Sequence, residues 1–387
     1  MPSPQSNLKH LSLSFPVNFP PDHLPGDSMR SLPLPTFTQL LSGLARVTSL
    51  LSIFIFLLLL PGAAHAKASK AADHVRDKQA VNLQQEKFQQ LFAELEEQYN
   101  FTQQELRKIF KGQVIKKRVL ELMDSQWEAK PYYVYFPLFV TRKTIQTGKK
   151  KLHIHKELLD KIEQQFGVDR EIIIAIWAIE TRYGTNLGGF NVLQTLTTLF
   201  DAYPRRTQFF RGQLIDFLLL CNENHIDPHT VEGSYAGAFG QTQFIPSSFR
   251  QYAVSFDGNR QRDVWNSIPD VLASIANYLK QFNWTLHAPI YADIGHSLKD
   301  TRLVSALNQG RKGRVDWQVV HDTQKADIPP SPGNQPLSIV GLELHPKKSR
   351  ARFRYIAAYP NFQAITEWNH SNRYAMAVTE LAEAFKK

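Results

Sequence analysis

Cysteine is nearly absent from this chain of 387 residues, and Cys221 is the only one. No disulfide can form within one chain, so stability must come from an apolar core. Cys221 follows the apolar stretch Phe217 to Leu220, where a buried free thiol is expected; a nucleophile would need an activating partner, and His225 alone is weak support. Long basic helices are missing too. The formal net charge is +10, yet the basic residues fall in short runs at 116–118, 149–151 and 347–350. No aromatic pair sits in a recognisable nucleic-acid module, and no internal repeat is evident. The charge suits an anionic partner such as a nucleic acid, a membrane surface or the cell wall, although a solvated basic surface explains such runs as well.

The N-terminus carries an address. Residues 1–35 are rich in Pro and Ser and read as unstructured. An apolar run from Val47 to Leu60 follows Arg46 and leads to Ala63-Ala64-His65-Ala66, which makes a secretory signal with cleavage after Ala66. The run is short for a spanning helix, and an uncleaved anchor is the alternative. Met29, followed by Arg30, is a second candidate start. No Cys stands at the boundary, so no lipid-attachment site is expected. The reading is export to the periplasm, as a soluble or weakly envelope-associated monomer.

Downstream, the pattern is mostly α with a smaller β portion, the α+β class. Between 67 and 130, Phe88, Leu91, Phe92 and Leu95 recur at helical spacing. Pro131 and the cluster Tyr132, Tyr133, Tyr135 and Phe136 break that pattern, and Leu158 to Phe166 resumes it up to Gly167. A helix is predicted from the N-cap Asp169 to Gly184, with Glu171 in its first turn. Further helices are expected at 207–222, 247–254 (with Ser247 as its cap) and 268–282, with Gly-rich loops at Gly188-Gly189 and Gly233 to Gly240 between them. Ser338 to Leu344 and Ala351 to Ala357 alternate like strands, and helical spacing returns from Tyr374 to Phe385. The boundaries follow: a disordered leader and signal at 1–66, a helical region at 67–165, a core at 166–285, and a C-terminal region with a small β portion and a terminal helix at 286–387.

Glu180 stands out on physical grounds. On a helix it shares its face with Ile173, Ile176 and Trp177. A carboxylate there is costly unless protonated or paired, and desolvation lifts its pKa toward the range useful to a general acid. Pairing with Arg182, Arg205 or Arg206 is the plain structural alternative.

Around it stand Glu180-Thr-Arg-Tyr-Gly, Tyr203-Pro-Arg-Arg206, the long run Gly233 to Ser248, Ala276-Asn-Tyr278, and Trp368-Asn-His-Ser-Asn-Arg-Tyr374. In order and spacing these motifs resemble the membrane-bound lytic murein transglycosylase B family, over most of the chain after the signal. The resemblance implies a lysozyme-like helical core with an N-terminal helical lobe. It implies cleavage of the β-1,4 bond between N-acetylmuramic acid and N-acetylglucosamine in peptidoglycan, leaving 1,6-anhydro-muramic acid. The family's catalytic Glu falls on Glu180 and its glycan-binding Ser and Gln on Ser234 and Gln243. Its paired Arg fall on Arg205 and Arg206, beside peptide or carboxylate groups; Tyr278, Asn369, Tyr374 and Tyr135 match further cleft positions. Phe136 stands where the family usually has Arg, which weakens the match at Tyr135.

Glycosidases ordinarily need two carboxylates. No convincing second one accompanies Glu180; Asp201 and Asp216 have plain structural readings. A transglycosylase needs one acid/base. No cofactor is required by that chemistry, and calcium is an open question. Relatives have an EF-hand-like loop where this chain runs from Ser255 to Asn266, with Arg260 at the turn and Asp257, Asn259 and Asp263 as a degenerate ligand set. The pair His225 and His229 reads as loop residues rather than a metal site. A muramidase using water, and a non-catalytic wall-binding protein on the same fold, remain as alternatives; a nucleic-acid partner is not expected.

Overall fold

The computed structural model describes residues 70–125 and 130–387. The expected leader and export signal, at 1–66, lie outside the described residues. Helices α1 (Glu86–Tyr99), α2 (Gln103–Phe110) and α3 (Lys117–Met123) come first; Phe88, Leu91, Phe92 and Leu95 are all buried on α1. After the short α4 (Tyr132–Tyr135), α5 (Arg142–Ile154) and α6 (Lys156–Phe166) lead to α7 (Arg170–Thr181). Gly167 stops α6 with φ +68, a left-handed conformation that costs glycine little.

Every side chain from Ile172 to Thr181 is buried, so α7 has no polar face. A helix apolar on all sides belongs at the centre of a fold. Helices α5, α6 and α11 (Ile268–Gln281) pack on it, while α8 (Val192–Ala202) and α10 (Pro246–Tyr252) pack on α9 (Thr207–Glu223). A two-residue pair, β1 (Phe190–Asn191) with β2 (Glu232–Gly233), closes the loops between them.

The C-terminal region holds an antiparallel sheet in the order β3 (Tyr291–Gly295), β5 (Phe353–Ala358), β4 (Ser338–Glu343). Its alternation decides which core each side chain joins. Val340, Leu342, Ile356 and Ala358 enter the main apolar cluster, which runs from Ala71 to Phe385. Ile339 and Ala357 enter a second cluster with Leu303, Val320 and Tyr359, built on α12 (Thr301–Asn308) and α13 (Trp317–Gln324). Helices α14 (Pro360–Asn369) and α15 (Asn372–Lys386) then return to the main cluster, and α15 packs on α7. The chain is mainly helical with a small sheet, as its periodicity predicts.

Three local expectations differ in detail. Asp169 is the N-cap of α7 by position, but its carboxylate does not cap the helix. It accepts from the Trp284 indole at 2.9 Å and meets Nδ1 of His287 at 2.9 Å. Pro246 opens α10 at its first position, so Ser247 is inside the helix and pairs with the Gln213 amide. Helix α7 ends at Thr181, before Gly184, because Arg182 and Tyr183 already adopt left-handed φ values of 51° and 60°.

Candidate active site

The early end of α7 leaves Glu180 in the last helical turn, and a side-chain lattice fixes that end. Thr181 Oγ1 donates to the Gln241 carbonyl at 3.1 Å and accepts from Gly184 N at 3.0 Å. The Gln241 amide takes the Trp177 indole N–H on its oxygen at 2.9 Å and donates to the Trp265 carbonyl at 2.7 Å. The Gly233 to Ile245 loop is thus tied to the helix that carries the carboxylate. Gly188 sits close behind it with φ +91, where a Cβ would lie 2.1 Å from the Gly233 carbonyl oxygen. Only glycine fits that approach.

Glu180 is 5% exposed. Its Oε1 accepts from Trp368 Nε1 at 2.9 Å and from Tyr374 Oη at 2.5 Å. These donors lie 188 and 194 residues further along the chain, at the end of α14 and the start of α15. Among the described residues no Arg pairs with Glu180, and the alternative of an ion pair with Arg182, Arg205 or Arg206 is not seen there. Burial raises the Glu180 pKa to about 7, while the bonds from Tyr374 and Trp368 draw it back down. Indole can only donate, and with Tyr374 also donating to Oε1, a protonated Glu180 carries its proton on Oε2. That oxygen makes no hydrogen bond to a described residue.

The space in front of Glu180 is narrow and is lined by Gln243, Phe244, Ile245, Ser248, Tyr278, Trp368 and Asn369. Gln243, at φ +50, donates from Nε2 to the carbonyls of Gly240 (3.0 Å) and Leu187 (3.2 Å). Two carbonyl partners fix the amide's orientation, which leaves its Oε1 as an acceptor without a bond to a described residue. Tyr278 gives its hydroxyl to the Glu367 carbonyl at 2.8 Å and presents its ring against Phe244 and Trp368.

The other expected residues are placed differently. Ser234 is fully buried, and its Oγ accepts from the backbone N–H groups of Ala236 (3.2 Å) and Ala238 (3.1 Å). It shapes the loop and does not line the space before Glu180. Tyr135 is buried against Phe139 and near enough to Tyr374 to raise that hydroxyl's pKa further. Arg205 is mostly exposed, 3.4 Å from Asp124, and Arg206 lies over the Phe209 ring at 4.1 Å. Asp201 and Asp216 carry ion pairs with Lys87 and Arg250.

Trp368, Phe244 and Gln241 are additions. Trp368 adjoins Asn369 within a motif already recognised, and that adjacency is the signal that points to it; nothing local distinguishes Gln241.

In the Ser255 to Asn266 loop, Ser255 Oγ lies 3.5 Å from both Asp257 Oδ1 and Asn259 Oδ1. Asp257 also accepts from Ser267 and from the Asn259 amide. Asp263 turns its Oδ1 to the N–H groups of Trp265 and Asn266, and Asp270 accepts from those of Phe256, Asp257 and Asp263. Among the described residues no three acidic, His or Cys side chains gather as a metal would need. With Asp257, Asp263 and Asp270 all bonded to N–H groups or neighbouring side chains, these residues do not fit a tight calcium site.

A buried acid with a raised pKa, on the last turn of a helix and facing a polar and aromatic space, suits general acid catalysis. The chain matches the transglycosylase SLT domain over residues 84–383, and it belongs to that family. It is 31% identical over 306 residues to the membrane-bound lytic murein transglycosylase B of Escherichia coli K12, covering 76% of this chain and 81% of that one. The E. coli lytic transglycosylase Slt35, solved in complex with calcium, superposes with a TM-score of 0.70 at 30% identity, over 81% of this chain and 97% of that one. SltB3 of Pseudomonas aeruginosa, solved with a NAG-NAM-pentapeptide, gives a TM-score of 0.63 at 31% identity, over 77% of each chain. The resemblance read from the motifs is therefore shown, and with it the activity class, a peptidoglycan lytic transglycosylase.

Proposed function

We propose that Glu180 is the single acid/base of this enzyme. The observation that carries the reading is the asymmetry of its carboxyl group: two protein donors on Oε1, and Oε2 left for the substrate. Oε2–H protonates the bridging oxygen as the bond from the muramic acid anomeric carbon breaks, with the substrate's own N-acetyl group assisting at that carbon. The carboxylate then takes the proton of the muramic acid 6-hydroxyl, whose oxygen closes on the same carbon. The 1,6-anhydro ring forms, Glu180 regains its proton, and no water is consumed. One group in two roles suffices.

Gln243 is assigned to accept from a sugar N–H or hydroxyl, and Tyr278 and Asn369 to form the wall of the sugar site. Tyr374 holds the carboxyl in place, Ser234 acts through the shape of its loop, and Tyr135 supports Tyr374. Arg205 and Arg206 face peptide or carboxylate groups of the strand. The polymer is the peptidoglycan glycan strand, not nucleic acid. Export to the periplasm by the N-terminal signal, a monomeric state, loose association with the envelope, and the division at 165 and 285 belong to the same reading. Among the described residues no helix is long and apolar enough to cross a membrane. Calcium has no step in the reaction.

Mass spectrometry of digested peptidoglycan tests the proposal. Anhydro-muramic ends are expected; reducing ends alone would mean a muramidase, and unchanged substrate a binding protein.

A further inference from the structure

One turn of the C-terminal region meets the end of α14 at a corner of the site, beside Asn369. Arg311 comes from the turn Gly310–Lys312. Arg311 Nη1 donates to the Thr366 carbonyl at 2.9 Å and to Nδ1 of His370, and lies 3.7 Å from Glu367. His370 directly follows Asn369 in a strained turn with φ +23. Since a guanidinium has no acceptor, Nδ1 of His370 accepts from Arg311, so it does not also donate to the Thr366 carbonyl 3.2 Å away, and the ring is neutral. Burial and the charges of Arg311 and Arg206 push its pKa down to about 4, so the charge of Arg206 is felt at the same corner.

All these contacts of Arg311 use Nη1. Its Nη2 and Nε make no hydrogen bond to a described residue, and the side chain is 27% exposed. Capping the end of α14 accounts for the bond to Thr366. It does not account for a guanidinium edge with two unused donors. That edge matches the two oxygens of a carboxylate.

We propose that Arg311 receives a carboxylate of the strand next to the sugar held at Asn369. The carboxylate is either the end of a stem peptide or the lactyl group of muramic acid. This inference rests on reading the site as one that cleaves peptidoglycan.

The test is calorimetric binding in the Glu180→Gln background with three ligands. These are a muramyl oligosaccharide bearing stem peptides, the same oligosaccharide after amidase treatment (which frees the lactyl carboxylates), and a chito-oligosaccharide without carboxylates. Arg311→Ala is expected to weaken carboxylate-bearing ligand about tenfold, the scale of one charge-assisted hydrogen bond at a partly exposed site. The chito-oligosaccharide should bind unchanged, and Arg311→Lys should recover part of the loss. A loss confined to the peptide-bearing ligand identifies the peptide end as the source, and one confined to the treated ligand identifies the lactyl group. Loss on both means that either carboxylate is accepted. Equal loss on all three ligands, or loss on none, overturns the inference while leaving the reading of the site intact. If the Glu180→Gln parent binds no oligosaccharide at all, the reading of the site falls, and this inference with it.

Discussion

The two oxygens of Glu180 face different surroundings, and that difference makes its behaviour predictable. Glu180→Gln keeps the shape but has no proton to give, so turnover should fall roughly 10²–10⁴-fold, the ordinary worth of a positioned acid/base; release of anhydro-muropeptides measures it. With a carboxyl pKa of about 7, wild-type kcat/KM should decline as pH rises beyond that value. Tyr374→Phe removes a bond that draws this pKa down, so the alkaline limb should move to higher pH. A limb that stays in place would remove Tyr374 from the acid's environment.

The same shift has a stability consequence with a definite sign. The folded pKa lies above the ordinary value of 4.5, so the group's contribution is fully present below 4.5 and is lost as pH rises through about 7. Gln carries no such loss. The melting temperature of Glu180→Gln relative to wild type should therefore rise between about pH 4 and about pH 8. Thermal melts at the two pH values decide this, and a difference that falls with pH contradicts it.

Among the elements, α7 is held at both ends by residues far away in sequence. At its start, the Asp169 carboxylate accepts from Trp284 and His287. Asp169→Ala would leave a buried indole N–H without its acceptor, at a cost of roughly 1.5–3 kcal/mol for a hydrogen bond to a charged group; urea denaturation measures it. At its end, Thr181 and Gln241 bind the helix to the Gly233 to Ile245 loop. Residue spacing was enough to foresee α7, α9, α10 and α11 to within a few positions. It did not foresee the partner of Asp169 or the role of Ser247, because capping rules see only four or five neighbouring residues. Trp284 is 115 positions from Asp169. The expected stop at Gly184 likewise missed two L-residues in left-handed conformations, which the lattice around Thr181 and Gln241 holds there.

At the scale of the whole molecule, two apolar clusters share the sheet, and the chain's last two helices close the main one over α7. The Ser255 to Asn266 loop is organised by the Asp270 carboxylate rather than by gathered acids. Adding calcium or a chelator should then leave the melting temperature where it is. A calcium-dependent rise of more than about 4 °C, about 1 kcal/mol or more for a domain this size, would show that the loop holds the ion.

The sequence by itself determined the fold class, the buried carboxylate and the family. Periodicity reports which faces are apolar, and long motifs in fixed order are specific. Only the tertiary structure decided which atoms meet Glu180. The convergence of Trp368 and Tyr374 on one oxygen, the inward turn of Ser234 and the reach of Arg311 to His370 each depend on segments packed together across the core. Such contacts follow from the position and angle of whole helices, which no local spacing encodes.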